Sequence, residues 1–156
     1  MVLASASLDV EPRNDDIAVL LIGADDAMHA LVRRALEQAR SSVGIVTCPN
    51  EEQGLAFLKA RAKGAGGRLP DLILLAVDPD NPVNASFFAG LQTQALLGLL
   101  PVCVLAPTLD EATKRALYAE GVNAIVEKMD TLEGASGVLN TVVEFWFKMA
   151  QRAYIE

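Results

Sequence analysis

Five short apolar runs alternate with segments of helical periodicity along this chain of 156 residues. Turn residues such as Gly23 and Pro101 bound the runs, and a run that is apolar at every position is typical of a strand buried on both faces of a parallel sheet. The runs are residues 17–22, 43–48, 72–77, 102–106 and 124–126. This alternation predicts an α/β domain in which a parallel sheet carries helices on both faces.

The segments between the runs predict five helices. The second begins at Pro49 and Asn50, and its inward stripe is Leu55, Leu58 and Ala62, with Phe57 at the margin. The first helix begins at about residue 25, the third covers residues 85–97 and the fourth covers residues 109–120. The fifth runs from about residue 131 toward residue 155. Gly121 is expected at the C′ position of the fourth helix, where a left-handed backbone favours glycine.

The pattern divides the chain into one domain with two flanking segments. Residues 1–16 have neither helical nor strand periodicity, so we expect a flexible N-terminal tail. Residues 17–130 form the α/β core, and residues 131–156 form a long last helix that completes the core.

Charge and composition exclude several classes of partner. The net charge of -7 disfavours binding to nucleic acid or anionic membrane surfaces. No apolar stretch is long enough to span a membrane, and the chain does not begin with a secretory signal. Cys48 and Cys103 lie in or at the end of apolar runs, so we expect buried free thiols in a reducing cytoplasm. A metal site needs more ligands than the single His29 adds, so neither a metal nor a cofactor is expected.

Five segments of the chain, in order and with matching spacing, resemble the receiver domains of two-component response regulators. They are residues 19–22, 31–36, 70–75, 101–105 and 121–124. The resemblance implies a doubly wound, CheY-like (flavodoxin-like) fold with five parallel strands in the order 2-1-3-4-5. The length of residues 76–101 and the sequence Glu144-Phe145-Trp146 are similar to those of single-domain regulators of bacterial and cyanobacterial phytochrome kinases.

The same resemblance implies a degenerate phosphorylation site. Receivers use an acidic pair to hold Mg²⁺, an aspartate to accept the phosphoryl group, a hydroxyl to bind it and a lysine to neutralise its charge. Here the acidic pair aligns with Gly23 and Ala24, the acceptor with Ala76 and the hydroxyl with Ala106, while Lys128 is retained. Because a methyl group can neither attack a phosphoryl group nor bind a metal, phosphorylation at the usual position is excluded.

Nearby acids leave an alternative open. Asp25, Asp26 and Asp78 could form a shifted acidic site, with Asp78 or Asp25 as the acceptor. On a strand, Asp78 would lie about 6.6 Å beyond Ala76, away from Lys128. The favoured interpretation is that Asp25 and Asp26 cap the first helix and that Asp78 holds a turn. Lys128 is then either a vestigial ion-pair partner of Asp25 or Asp78, or a surface lysine.

The last helix carries more apolar residues than one buried face needs. The surplus predicts a homodimer surface, or else a helix covered by the chain's own tail. The residues of this surface are Phe145, Trp146, Phe147, Met149 and Tyr154.

These observations favour a cytoplasmic, non-enzymatic response regulator that acts without phosphorylation. Its partner would be a sensor histidine kinase, such as a bacteriophytochrome, or a sibling regulator. The alternatives are a receiver phosphorylated at a shifted aspartate and a flavodoxin-like ligand-binding module. The ligand-binding module is disfavoured because no glycine-rich phosphate motif follows the first predicted strand.

Overall fold

The computed structural model describes residues 7–10, 17–39, 43–64, 66–77, 85–127, 136–142 and 144. The strands are β1 (Ser7–Val10), β2 (Ile17–Ile22), β3 (Val43–Cys48), β4 (Leu72–Ala76), β5 (Val102–Leu105) and β6 (Ala124–Val126). The helices are α1 (Asp26–Ala39), α2 (Glu51–Ala62), α3 (Ala85–Leu91), α4 (Ala95–Gly98) and α5 (Glu111–Ala119). Residues 136–142 are also helical.

The strands form one sheet in the order β1-β3-β2-β4-β5-β6, and β2 to β6 run parallel. Numbered from β2, the parallel strands have the order 2-1-3-4-5, which confirms the predicted topology. Ile22 lies opposite both Cys48 and Leu75, and Ala76 lies opposite Leu105. This register brings the carboxyl ends of neighbouring strands together at one edge of the sheet.

The strand β1 differs from the flexible tail expected for residues 1–16. Residues 7–10 pair antiparallel with β3, with Leu8 opposite Val46 and a register shift between Leu8 and Val10. An exposed edge of β3 would leave backbone N–H and C=O groups without partners, and β1 pairs with that edge. The sixth strand therefore extends the predicted five-stranded parallel sheet, and the rest of the tail lies outside the described residues.

Two apolar cores lie on opposite faces of the sheet because side chains alternate along each strand. In β2, Leu20 and Ile22 belong to one core, whereas Val19 and Leu21 belong to the other. The first core includes α2 to α5 through Phe57, Leu58, Phe87, Phe88, Leu91, Leu97 and Leu117. The second includes α1 and the last helical segment through Val32, Ala35, Leu36 and Leu139. The predicted placement of helices on both faces of the sheet is thus confirmed.

Two predicted helices differ in detail. Phe57, expected at the margin of α2, is only 2% exposed, whereas Leu55 and Ala62 are partly buried. The helix expected over residues 85–97 is divided into α3 and α4, because Gln94 before α4 has an extended backbone. The hydroxyl of Thr93 donates to the carbonyl of Gly90 (2.7 Å), which supplies a partner near the end of α3.

The end of α5 is as predicted. Gly121 has φ of +108°, and its N–H donates to the carbonyl of Tyr118, while the N–H of Val122 donates to that of Leu117. These two bonds form the Schellman arrangement that satisfies the last carbonyls of a helix.

The last helical segment is described only in part. Leu139 is fully buried, and Val142 packs against the same core. The predicted dimer surface, Phe145, Trp146, Phe147, Met149 and Tyr154, lies outside the described residues. Among the helices described, none has the length and apolar character needed to cross a membrane.

Candidate functional site

A cavity of about 500 Å³ opens at the carboxyl ends of β2, β3 and β4. Its lining includes Gly23 and Ala24 after β2, Asn50 and Glu51 after β3, and Ala76 at the end of β4. Ligands of open α/β sheets bind at this edge, outside the carboxyl ends of the strands. The structure therefore brings together three of the residues that the sequence assigns to a degenerate site.

Gly23 occupies a position that its backbone reserves for glycine. Its φ is +80°, and its N–H donates to the carbonyl of Cys48 (3.0 Å). A Cβ built on Gly23 would lie 3.2 Å from the carbonyl oxygen of Ala76. An acidic side chain at this position would therefore require both a left-handed backbone and a displacement of the end of β4.

The two alanines at the strand ends have different surroundings. Ala76 is partly exposed and borders the cavity. Ala106, the residue after β5, is fully buried in the first core, and its N–H donates to the carbonyl of Val126 (3.0 Å). Ala106 thus lies at the strand end that the sequence predicts, but it does not line the cavity.

Asp25 borders the cavity and caps α1. Its Oδ1 accepts a hydrogen bond from the N–H of Met28 (2.8 Å), which confirms the capping role favoured by the sequence. Asp26 lies in the exposed first turn of α1, where an acid interacts favourably with the helix dipole. Asp78 and Lys128 lie outside the described residues.

The start of α2 contributes polar groups that sequence reasoning did not assign to the site. Asn50 caps α2 by accepting a hydrogen bond from the N–H of Gln53 (2.9 Å), and Glu51 follows it. The signal was present, since Pro49-Asn50 already predicts a helix start beside a strand end. Within the described part of the chain, no group of three or more His, Cys, Asp or Glu side chains is placed to hold a metal ion.

A second set of polar contacts lies at the ends of β5 and β6. The Oε2 atom of Glu127 accepts a hydrogen bond from the N–H of Leu109 (2.9 Å), and its Oε1 accepts one from Nζ of Lys114 (3.2 Å). Lys114 also pairs with Oε2 of Glu111 (3.0 Å). The pKa of Lys114 is raised most by its hydrogen bond to Glu111 and next by its hydrogen bond to Glu127. Sequence reasoning missed Glu127, although an acid beside Lys128 at a strand end was a visible signal.

The cap of α5 belongs to the same region. Oδ1 of Asp110 accepts a hydrogen bond from the N–H of Thr113 (2.7 Å), and hydrogen bonds from Thr113 lower the pKa of the Asp110 carboxyl. An N-cap carboxylate favours its charged form in this way because the bond is made to the anion.

The two cysteines are free and buried, as the sequence predicts. Burial raises the pKa of Cys48 to about 11 and that of Cys103 to about 12. Because the thiolate is the reactive form of cysteine, neither group is suited to nucleophilic chemistry at neutral pH.

Comparison with known proteins identifies the fold. No protein-family model matches the sequence, and no curated protein matches it. Several solved structures that resemble the chain are response regulators. The phosphorylated cyanobacterial phytochrome response regulator RcpA is 22% identical, with 86% of this chain and 96% of that chain covered and a TM-score of 0.72.

Two further structures agree with this result. A response regulator in red light signaling of R. palustris is 19% identical over 83% of this chain and 92% of its own, with a TM-score of 0.70. The Mn(2+)-bound form of response regulator Rcp1 is 21% identical over 83% of this chain and 93% of its own, with a TM-score of 0.67. The predicted CheY-like receiver fold is thereby confirmed.

Proposed function

We propose that this chain, which has the fold of response-regulator receiver domains, is a degenerate single-domain regulator that acts in two-component signalling without being phosphorylated. One observation carries the proposal. The strand ends that border the cavity carry Gly23, Ala24 and Ala76, which offer neither a phosphoryl acceptor nor a metal ligand in their side chains. By contrast, RcpA is described as phosphorylated and Rcp1 as Mn(2+)-bound.

The geometry of Gly23 strengthens this proposal. Restoring an acid there requires a backbone change, because of the positive φ and the 3.2 Å approach to Ala76. Asp25, which also borders the cavity, already accepts a hydrogen bond as the cap of α1. The local structure of this edge is therefore compatible with a degenerate site.

The chain acts through protein–protein contact rather than catalysis. Its partner is a sensor histidine kinase or a sibling response regulator in the cytoplasm. A bacteriophytochrome kinase is favoured because several similar folds are phytochrome regulators, including AtBRR, a bacteriophytochrome response regulator. By occupying the kinase surface that normally binds a receiver, this chain competes with an active regulator.

A competition assay tests this role. An autophosphorylated phytochrome histidine kinase is mixed with its own receiver and increasing amounts of this full-length chain. We expect phosphoryl transfer to that receiver to become slower, and we expect no phosphoryl label to appear on this chain. Label on this chain, or transfer that is unaffected at a large excess, contradicts the proposal.

Direct phosphorylation is tested separately. The full-length chain is incubated with acetyl phosphate and Mg²⁺, with a receiver that has a complete site as the positive control, and its intact mass is measured. We expect no phosphate adduct. An adduct that disappears in Asp78→Asn or Asp25→Asn, but persists in the matched variant Asp26→Asn, identifies the shifted site and contradicts the proposal.

The proposal includes a homodimer formed through the last helix. Its described part supports this, since Leu139 is fully buried while the neighbouring Val138 is 43% exposed. Sedimentation at micromolar concentration is expected to give a dimer that dissociates in the double variant Trp146→Ala and Phe147→Glu. A monomeric wild-type chain, or a dimer that survives both substitutions, contradicts this interface.

A further inference from the structure

The carboxylate of Glu127 connects the end of β6 with two points at the start of α5. One oxygen accepts the backbone N–H of Leu109, which lies two residues before the helix, and the other accepts Nζ of Lys114. The side chains of Glu127 and Lys114 are only 28% and 27% exposed. Hydrogen bonds between charged partners are stronger than neutral ones, and partial burial limits their screening.

These contacts act on a segment that has little regular structure of its own. Residues 106–110 connect the end of β5 to α5. Leu109 packs into the first core, and the next residue, Asp110, caps α5. The N–H that Leu109 donates to Glu127 therefore fixes the backbone directly before the cap of α5.

We infer that Glu127 is a positioning residue that holds residues 106–110 and the start of α5 in one arrangement, with no ligand needed at the strand ends. The inference rests on the proposed function. A regulator that is not phosphorylated needs a partner surface that is already set, and Glu127 sets the part formed by α5 and the end of β6. The two hydrogen bonds described here are made with the backbone N–H of Leu109 and with Nζ of Lys114, both groups of the chain itself.

Amide hydrogen exchange in the full-length chain measures this role. We expect Glu127→Ala to raise the exchange rate of the Leu109 amide about tenfold or more, because it removes a charged acceptor. Glu127→Gln should restore most of the protection, since its amide oxygen can still accept the bond. The Leu74 amide, in the centre of the sheet, serves as the internal reference for global opening.

A matched control separates the two contacts. Glu111→Gln removes the other acidic partner of Lys114 but retains the Leu109 bond, so exchange at Leu109 should stay within about twofold of the wild-type rate. The inference is wrong if Glu127→Ala leaves Leu109 unchanged, or if Glu111→Gln has an equal effect. It is also wrong if Leu74 accelerates as much as Leu109, because Glu127 would then stabilise only the whole fold.

A further variant of Glu127 and a measurement with acetyl phosphate complete the test. If Glu127→Ala does not fold, Glu127→Met, which keeps the aliphatic stem but has no carboxylate oxygen to accept the bond, must accelerate exchange at Leu109 relative to Leu74, and equal rates overturn the inference. Adding acetyl phosphate and Mg²⁺ to the wild-type chain should leave exchange at Leu109 unchanged. A phosphate adduct without a change at Leu109 contradicts the proposed function alone, whereas a change at Leu109 overturns the inference.

Discussion

The polar side chains on the two sides of the strand-end edge make different contacts. Beside β2 and β4, glycine and alanine border a cavity, and Asp25 serves as a helix cap. Beside β5 and β6, Glu127 binds Leu109 and Lys114 across the connection to α5. We call the first group, Gly23, Ala24, Asp25 and Ala76, the bare side, and the second, Leu109, Asp110, Lys114 and Glu127, the braced side.

The difference shows that a side chain of the protein itself connects the loops on one side of this edge, whereas a cavity lies on the other side. Helix caps and a short polar network hold the loops, and the sheet register holds the strand ends. The variants below either break this comparison or make it sharper.

The largest effect is expected for Ala106→Asp. Ala106 is fully buried, so a carboxylate there would be an unpaired charge in the first core. We expect a loss of at least about 3 kcal/mol in the free energy of unfolding. The matched variant Ala76→Asp, which faces the cavity, should lose less than about 1 kcal/mol. Urea denaturation measures both, and equal losses would show that the bare side cannot accommodate a charge either.

A smaller loss is expected for Gly23→Ala. Its positive φ and the 3.2 Å approach to the carbonyl of Ala76 should together cost about 2–3 kcal/mol. Gly64→Ala is the control, because Gly64 also has a positive φ, of +90°, but no atom lies within 4 Å of the added Cβ. That variant should lose only about 1 kcal/mol, so the difference isolates the close approach. Equal losses in chemical denaturation would remove the steric argument for glycine beside β4.

Next in size is Asp25→Ala. Loss of the cap on the Met28 N–H should lower the free energy of unfolding by about 1 kcal/mol, whereas Asp25→Asn should retain most of it. Thermal and urea unfolding of the two variants provide the measurement. No loss in Asp25→Ala would mean that this carboxylate is not needed by α1, and a shifted acidic site on the bare side would become the better explanation.

Much of the fold could be predicted from the sequence because four of its five parallel strands, β2, β4, β5 and β6, are apolar at every position. Such runs have one stable location, between two layers of helices, and this fixes both the sheet and its carboxyl edge. Gly23, which follows the first run, and Ala106, which ends the fourth, could be placed at that edge for the same reason. Strand β1 could not be predicted in this way, because its four residues adopt a strand conformation by pairing with the edge of β3.

Other features depend on contacts between distant elements. A helical stripe places Leu55 inward, but Leu55 lies against Gly90 of α3, and Phe57 takes the buried position. The bond from Leu109 to Glu127 joins residues 18 apart in the chain, across a helix and a strand. No periodicity in the sequence reports such a contact. The sequence marks Glu127 as an acid at a strand end, but only the structure shows that it binds Leu109 and Lys114.

The smallest predicted effect concerns Asp110 on the braced side. Hydrogen bonds from Thr113 lower the pKa of Asp110 in the folded chain, so its carboxylate stabilises the fold above the pKa of the unfolded chain. That contribution is lost as the pH falls below 3.8 and through the lower folded pKa. Asp110→Asn caps α5 without titrating, so it should lose less stability in acid than the wild type.

Melting temperatures of the wild type and Asp110→Asn, measured from about pH 6 to about pH 2.5, should therefore approach each other or cross as the acid titrates. Glu111→Gln is the matched comparison in the next residue, since Glu111 contacts Lys114 rather than the helix N–H groups. Parallel curves for the wild type and Asp110→Asn would show that the Thr113 bonds do not distinguish the charged cap. The electrostatic support of α5 would then come from the contacts of Lys114 with Glu111 and Glu127 and not from the cap, in contrast to the bare side, where Asp25 caps α1.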